Sequence, residues 1–308
     1  MENAIPTDLT DIAAALGEAF PGLPPVGALT KLGEGFNSLA VETADGIVFR
    51  IAKNSETSER HAKEAKLLPV LGAHVTVPIP QPKWHTRASA QLTFGAIGYP
   101  KIDGLPLAPS FPSSKQAQRI ASGIARFLVA LHGFPPDQAI ELGVPGPDAR
   151  HPRLLAMQQD VLPPLRDALS ADEFRRVETW WDSFLNDARM WRYNPVLSHC
   201  DLWYENILVD REMTEVLGVL DFENVTVGDS AADFATLLHH RSGHDFLARV
   251  ERAYLELGGT LDADHAYRVQ RLWELRPFDG IQFSANFNDA QEMSDSIAKL
   301  RRGPILAP

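Results

Sequence analysis

Apolar residues recur at helical spacing over residues 9–20, LTDIAAALGEAF, where Leu9, Ile12, Ala13, Leu16 and Phe20 fall on one stripe. Pro and Gly between Pro21 and Gly27 end that pattern. The period then changes to two. Leu39–Thr43 and Ile47–Ala52 alternate as strands around Ala44-Asp45-Gly46, which predicts a hairpin. SETSERHAKEAKLL restores helical spacing behind a Ser/Thr cap and is expected to stop or kink at Pro69. VPIPQPKW reads as extended, and AQLTFGAIGYPKIDG as two strand-like pieces followed by a connector rich in Gly and Pro.

From Ser113 onward helical spacing dominates, over 114–132, 153–169, 171–191, 231–241, 244–257 and 263–276. The one clear strand signal in that half is a pair around 207–221. No repeat or low-complexity tract interrupts the chain. The pattern predicts an α+β protein with a β-rich N-terminal lobe, residues 1–99, and a larger, mostly helical lobe, residues 100–308. GYPKIDGLPL, residues 98–107, would link them, and the junction is an expected ligand site.

At 308 residues the chain is long enough for two such units. With 44% hydrophobic and 22% charged residues, its composition is that of a globular protein. The net charge of −11 argues against nucleic acid or an anionic membrane as partner and is compatible with a cationic ligand. No apolar run is long enough for a membrane span, and the first ten residues lack a signal-peptide pattern. Cys200 is the single cysteine, which excludes an internal disulfide and fits a reducing cytoplasm.

The chemistry lies in HCDLWYENILVD, residues 199–210, and VLGVLDFEN, residues 216–224. Ile207–Val209 and Val216–Leu220 read as the two strands of a hairpin about Met213. Asn206 then lies opposite a neighbour of Asp221, with Asp201 in the loop before the first strand. Two carboxylates and an amide converge at one end. Such a group favours a hard cation, above all magnesium, held jointly with substrate phosphates. This is the donor set of phosphoryl transfer, with Asp201 accepting or orienting an acceptor hydroxyl and Asn206 and Asp221 as metal ligands.

With Gly228, Asp229 and Asp233 further on, these segments give His-x-Asp-x-x-x-x-Asn, Asp and Gly-Asp-Ser-x-x-Asp. The set resembles the aminoglycoside phosphotransferase family, kinase-like proteins that include macrolide phosphotransferases and choline kinases. Ser230 stands where the family motif has Pro. LVALHGFP and GYPKIDGLPL extend the likeness over residues 30–240.

The resemblance implies a two-lobed, protein-kinase-like fold, ATP or GTP as co-substrate, and a small-molecule hydroxyl acceptor. KLGEGFNS would be the phosphate loop, through Gly33 and Gly35. The cation of the third strand would be Arg50. Lys53 competes for the role, but alternation sets Arg50 on the face of Val48 and Lys53 on that of Ile47, Phe49 and Ile51. Glu64, on the apolar side of its helix before Leu67 and Leu68, would pair with it. Pro100 and Ile102 would offer the nucleotide base a carbonyl and an N–H. His199 is expected to orient the catalytic loop, Asp233 to brace it from the first turn of a helix, and Cys200 to pack inertly.

Only eleven residues separate Asp221 from Asp233, which leaves little room for a peptide-docking segment and favours a small acceptor. A Walker loop is missing, and the histidines lack zinc-enzyme spacing. The expected acceptor is an aminoglycoside, its ammonium groups met by Glu274 and Asp279. Trp273 and Phe278 could instead face an apolar macrolide, and a small amino alcohol or sugar is a third candidate. A non-catalytic nucleotide sensor is the reading from another class, though it has no use for Asp201.

Overall fold

The computed structural model describes residues 8–35, 37–240 and 243–307. Phe36 in the glycine-containing loop and the expected helix end at Arg241 lie outside them.

The N-terminal lobe is built on an antiparallel sheet of order β1-β2-β3-β5-β4. Its strands are β1 (Leu29–Glu34), β2 (Ser38–Thr43), β3 (Ile47–Ala52), β4 (Trp84–Thr86) and β5 (Ala96–Pro100). The amphipathic helix α1 (Leu9–Ala19), capped by the Asp8 side chain, packs Ile12 and Leu16 onto the face formed by Ile47, Phe49 and Ile51. Every residue of β3 is buried, because α2 (Ser55–Gly72) covers its other side. Of the two strand-like pieces expected over residues 90–104, only Ala96–Pro100 forms a strand of the sheet.

A short strand, β6 (Leu105–Pro106), follows β5, and the helical lobe begins with α3 (Ser114–His132), α4 (Pro136–Glu141), α5 (Arg150–Ala168) and α6 (Ala171–Asn186). Four small strands come next: β7 (Val196–Ser198), β8 (Ile207–Val209), β9 (Val216–Val219) and β10 (Thr226–Gly228). The chain closes with α7 (Ala231–Leu237), α8 (Gly243–Glu256), α9 (His265–Phe287) and α10 (Ala290–Arg302). The expected β8–β9 hairpin forms, joined on its other side by β6, while β7 pairs with β10.

Two helices run on through a proline, α2 at Pro69, where a stop or kink was expected, and α9 beyond its expected range of 263–276. The helix α2 continues past Pro69 to Gly72, and α9 continues past Pro277 to Phe287. A proline inside a helix costs about 3 kcal/mol, whereas burying one large apolar side chain contributes roughly 1.5–3 kcal/mol. Leu67, Leu68 and Leu71 of α2 are fully buried, as are Phe278 and Ile281 of α9, so packing outweighs the local penalty. The helix α10 escaped the sequence reading, although Asp289 caps it by accepting from the N–H groups of Gln291 and Glu292.

The leucines of α2 belong to the same core as α3, β8 and β9, so the apolar interior runs across the lobe junction. A second core, under α5, α6, α9 and α10, is centred on Trp181, Phe184 and Phe278.

Gly98 of β5 lies against Phe49, and an added Cβ would stand 2.3 Å from that ring. Gly98→Ala is therefore expected to destabilise the protein by about 1–3 kcal/mol through overpacking. Urea unfolding of the two proteins checks this, an unchanged midpoint being the contrary result.

Candidate active site

The hairpin places the polar residues. Register pairs Ile207 with Val219, and beyond it the Leu220 N–H donates to the Asn206 carbonyl at 2.8 Å. Asn206 and Asp221 thus lie at the same open end. Asn206 Nδ2 donates to the Asp201 backbone carbonyl at 2.9 Å, which ties the loop to the strand, and among the described residues no donor meets Asn206 Oδ1. Asp221 holds φ at 64°, a left-handed conformation that is costly for a residue with a Cβ.

The loop before β8 is strained as well, with Cys200 at φ 66°. Asp233 of α7 meets it there. Its fully buried carboxylate accepts from the N–H groups of His199, at 3.1 Å, and Cys200, at 2.6 Å. It also lies 3.0 Å from Nε2 of His132 on α3. His199 continues the brace. Its Nδ1 accepts from the Asp201 N–H at 3.2 Å, and its Nε2–H donates to the Leu220 carbonyl at 3.0 Å. Burial lowers the His199 pKa, in keeping with the neutral ring these two bonds require. Burial pushes the Cys200 thiol up, away from the reactive thiolate. Asp229 accepts from Arg268 Nε at 2.9 Å and the Ala231 N–H at 3.1 Å, fixing the start of α7.

Asp201 itself is partly enclosed. Burial, and after it the charge of Asp221, push its carboxyl up to about 6. Asn224 Nδ2 approaches Asp201 Oδ2 at 3.5 Å.

The N-terminal lobe reaches this end of the hairpin through Arg50. Its NH1 donates to Glu64 Oε2 at 3.0 Å, and its NH2 lies 3.6 Å from Asp221 Oδ1. Lys53 lies elsewhere, bonded at 2.7 Å to both Glu34 Oε1 and the Gly35 carbonyl. Burial pushes the Glu64 carboxyl up to about 7 against the pull of Arg50. Sequence reasoning missed Glu223, which bonds Arg50 NH2 directly. Its only local signal was its position two residues after Asp221, and its partner lies 173 residues away. Burial pushes the Glu223 carboxyl up, but the adjoining His61 and Arg50 outweigh that and hold it at about 2.

Gly33 lies within β1, paired with Ala40 just after a register shift between Lys31 and Gly33, and Gly35 opens the turn into β2. The Gly35 N–H is occupied by the Ser38 carbonyl at 3.0 Å. At the connector, the Lys101 N–H bonds the Gly46 carbonyl at 2.8 Å, and among the described residues the Ile102 N–H following Pro100 has no partner.

The two carboxylates expected to meet a cationic acceptor part company. Glu274 is drawn inward, its carboxylate accepting from Trp180 Nε1 and Arg271 NH1, both at 2.8 Å, and from Gln270 Nε2 at 3.0 Å. Aromatic packing between α6 and α9 claims it, which corrects the expectation that it faces a ligand. Asp279 is 47% exposed, 3.7 Å from Arg276 NH1, and its charge is felt at Asp201. Trp203, two residues after Asp201, is held between the His239 ring, 4.2 Å away, and Arg276, 4.7 Å away. Trp273 and Phe278 pack within the two cores.

Among the described residues no three His, Cys, Asp or Glu side chains are grouped to hold a metal by themselves. Asp221 Oδ1, however, is buried and has no hydrogen-bond partner. One carboxylate and one amide oxygen suit magnesium that takes its remaining ligands from phosphates and water. Among the described residues no helix is long and apolar enough to cross a membrane. A groove of about 570 Å³ between α1 and β1 includes none of these residues.

The sequence profile of the phosphotransferase enzyme family matches residues 28–269. The chain belongs to that family. This phosphotransferase is 26% identical to the uncharacterized protein YcbJ of Bacillus subtilis over 245 residues, 75% of each chain. Its fold is that of aminoglycoside 2'-phosphotransferase-IIIa, solved with GDP, at a TM-score of 0.84 with 24% identity, covering 96% of this chain and 98% of the other. The apoenzyme of macrolide 2'-phosphotransferase MphH from Brachybacterium faecium superposes at 0.70 with 23% identity, covering 97% and 99%. The kinase-like α+β architecture, with its β-sheet lobe and larger helical lobe, is common to these structures.

The raised pKa of Asp201 has a consequence for stability. A carboxyl whose folded pKa exceeds its unfolded value of 3.8 favours the folded state most when protonated. Its contribution is therefore full below pH 3.8 and is lost as pH rises through about 6. Without magnesium, Asp201→Asn is expected to be more stable than the parent at pH 7 by about 1–3 kcal/mol, and the gap should shrink toward pH 4. Denaturant titrations at the two pH values measure both quantities.

Proposed function

We propose that this phosphotransferase moves the γ-phosphoryl group of ATP or GTP to a hydroxyl of a small molecule, with an aminoglycoside as the favoured acceptor. The observation that carries the reading is the 3.6 Å approach of the Arg50 guanidinium to Asp221 across the lobe junction, beside the Asp201–Asn206 loop. A fixed cation and a carboxylate meeting from two lobes form a seat for phosphates and a metal ion.

In this mechanism Arg50, oriented by Glu64, binds phosphate oxygens through its fork of donors. The β1–β2 turn around Gly33 and Gly35 covers the phosphates, and the Pro100 carbonyl and Ile102 N–H meet the base. Asn206 and Asp221 would hold magnesium, which when bound would neutralise charge on the phosphates. Asp201 orients the acceptor hydroxyl for in-line attack and takes its proton as the new P–O bond forms and the bond from the γ-phosphorus to the β–γ bridging oxygen breaks, releasing ADP or GDP. Burial raises its carboxyl above the usual range, which makes it a better proton acceptor than an exposed aspartate. His199 and Asp233 hold that carboxylate in place through the backbone. Positioning and fixed charge supply the catalysis, as phosphoryl transfer requires.

The acceptor would enter beside Trp203 and Asp279. The aminoglycoside reading is supported by the half-exposed Asp279 and the overall charge of −11. It is also supported by the fold shared with an aminoglycoside phosphotransferase and with the gentamicin complex of APH(2")-IIa, the latter at TM-score 0.76.

Nucleotide consumption with magnesium and ATP or GTP, stimulated in turn by aminoglycosides, macrolides and small amino alcohols, tests the reading when product mass is followed. One added phosphate on an aminoglycoside is the expected outcome, and stimulation only by another class would reassign the acceptor. Asp201→Asn should lose on the order of 10²–10⁴ in turnover and keep its affinity for nucleotide. Turnover equal to the parent's would remove Asp201 from the mechanism.

A further inference from the structure

The Arg50 guanidinium is shared between the lobes. One arm holds Glu64 of α2 and the other holds Glu223, which follows β9 in the helical lobe. All three side chains are buried. The neighbouring groups of α2 fasten the same segment. Lys63 Nζ donates to the Glu223 carbonyl at 2.7 Å and to the Val225 carbonyl at 3.3 Å. Arg60 NH1 donates to Asn224 Oδ1 at 3.3 Å and lies 3.7 Å from Glu223 Oε2, while His61 Nε2 lies 3.7 Å from Glu223 Oε1. Phe222 is fully buried against the His199 ring, 4.5 Å away, which anchors the segment from the helical lobe.

Asp221 Oδ1 stands 3.6 Å from the arm of Arg50 that Glu223 occupies and has no hydrogen bond of its own. A guanidinium arm without Glu223 would close that distance and pair with Asp221. We propose that Glu223 is a positioning residue. It holds the second arm of Arg50, keeps the cation from collapsing onto Asp221, and seats α2 on the Asp221–Val225 segment. The planar fork of arginine is what makes this possible, since a lysine ammonium presents no rigid pair of donors to carboxylates on opposite sides. The proposal rests on the reading of Arg50 as the nucleotide cation.

The test is a double-mutant cycle on nucleotide affinity, measured by calorimetry with and without magnesium on the full chain, alongside kcat and KM. Glu223→Gln is nearly isosteric, and its fold is checked by near-ultraviolet circular dichroism. It is expected to weaken nucleotide binding roughly tenfold or more, as misplacement of a binding group does, with the acceptor KM unchanged. In an Arg50→Ala background the same substitution should have little further effect. Full additivity of the two substitutions, or parental affinity in Glu223→Gln, would overturn the proposal. Parental affinity in Arg50→Ala would instead overturn the reading of Arg50, and Glu223's role with it. Should Glu223→Gln fail to fold, Arg50→Lys carries the same question through hydrogen exchange. Faster exchange over residues 55–72 is expected, and unchanged protection there would overturn the proposal.

Discussion

A single buried carboxylate, Asp233, holds the candidate catalytic loop in its shape. The loop needs a left-handed residue at Cys200 to turn Asp201 toward the junction, and an L-residue adopts that conformation only when its surroundings enforce it. Asp233 does so by accepting both N–H groups that the turn leaves exposed. Its contact with His132 ties the arrangement to α3, one of the longest helices of the interior. His199 transmits the constraint onward, because one ring nitrogen holds the Asp201 amide and the other holds Leu220, next to Asp221. The positions of the two carboxylates of the candidate site therefore derive from a third, Asp233, that acts through the backbone and the His199 ring.

The second constraint lies at the lobe junction. The helix α2 follows the N-terminal sheet in sequence, yet its last leucines are packed in the interior of the helical lobe. Its polar side presents Glu64 to Arg50 and Lys63 to the segment after β9. The Val219 N–H bonds the Pro78 carbonyl just beyond this helix, at 3.0 Å. Apolar burial thus supplies the attachment, and the charged groups set its register.

Much of this was legible where local pattern and tertiary demand agree. The β8–β9 alternation brought Asn206 beside Asp221 because a hairpin admits one register once its turn is set. Alternation along β3 separates Arg50 from Lys53, and the two have different partners, Glu64 of α2 for Arg50 and Glu34 with the Gly35 carbonyl for Lys53. What escaped depended on distant partners. Nothing around Glu223 announces a guanidinium from the other end of the chain, and nothing around Glu274 announces the indole of Trp180. Pro69 misled because a penalty written in the local sequence was set against burial that only the assembled core supplies.

The pairing of β6 with β8 has a mechanical meaning. The connector leaving the sheet is pinned by hydrogen bonds at both ends: Lys101 to Gly46 in the sheet lobe, and Leu107 to Ile207 in the strand that follows Asn206. Gly104, at φ 152° and with Leu208 too close to admit a Cβ without adjustment, lies between the pins. The stretch free to bend is only a few residues long, and it is braced against the strand beside the candidate site. Relative motion of the lobes then resembles a short leaf spring rather than a loose tether. A connector so short and so braced would limit how far the lobes can part, and with it the range of shapes they could admit.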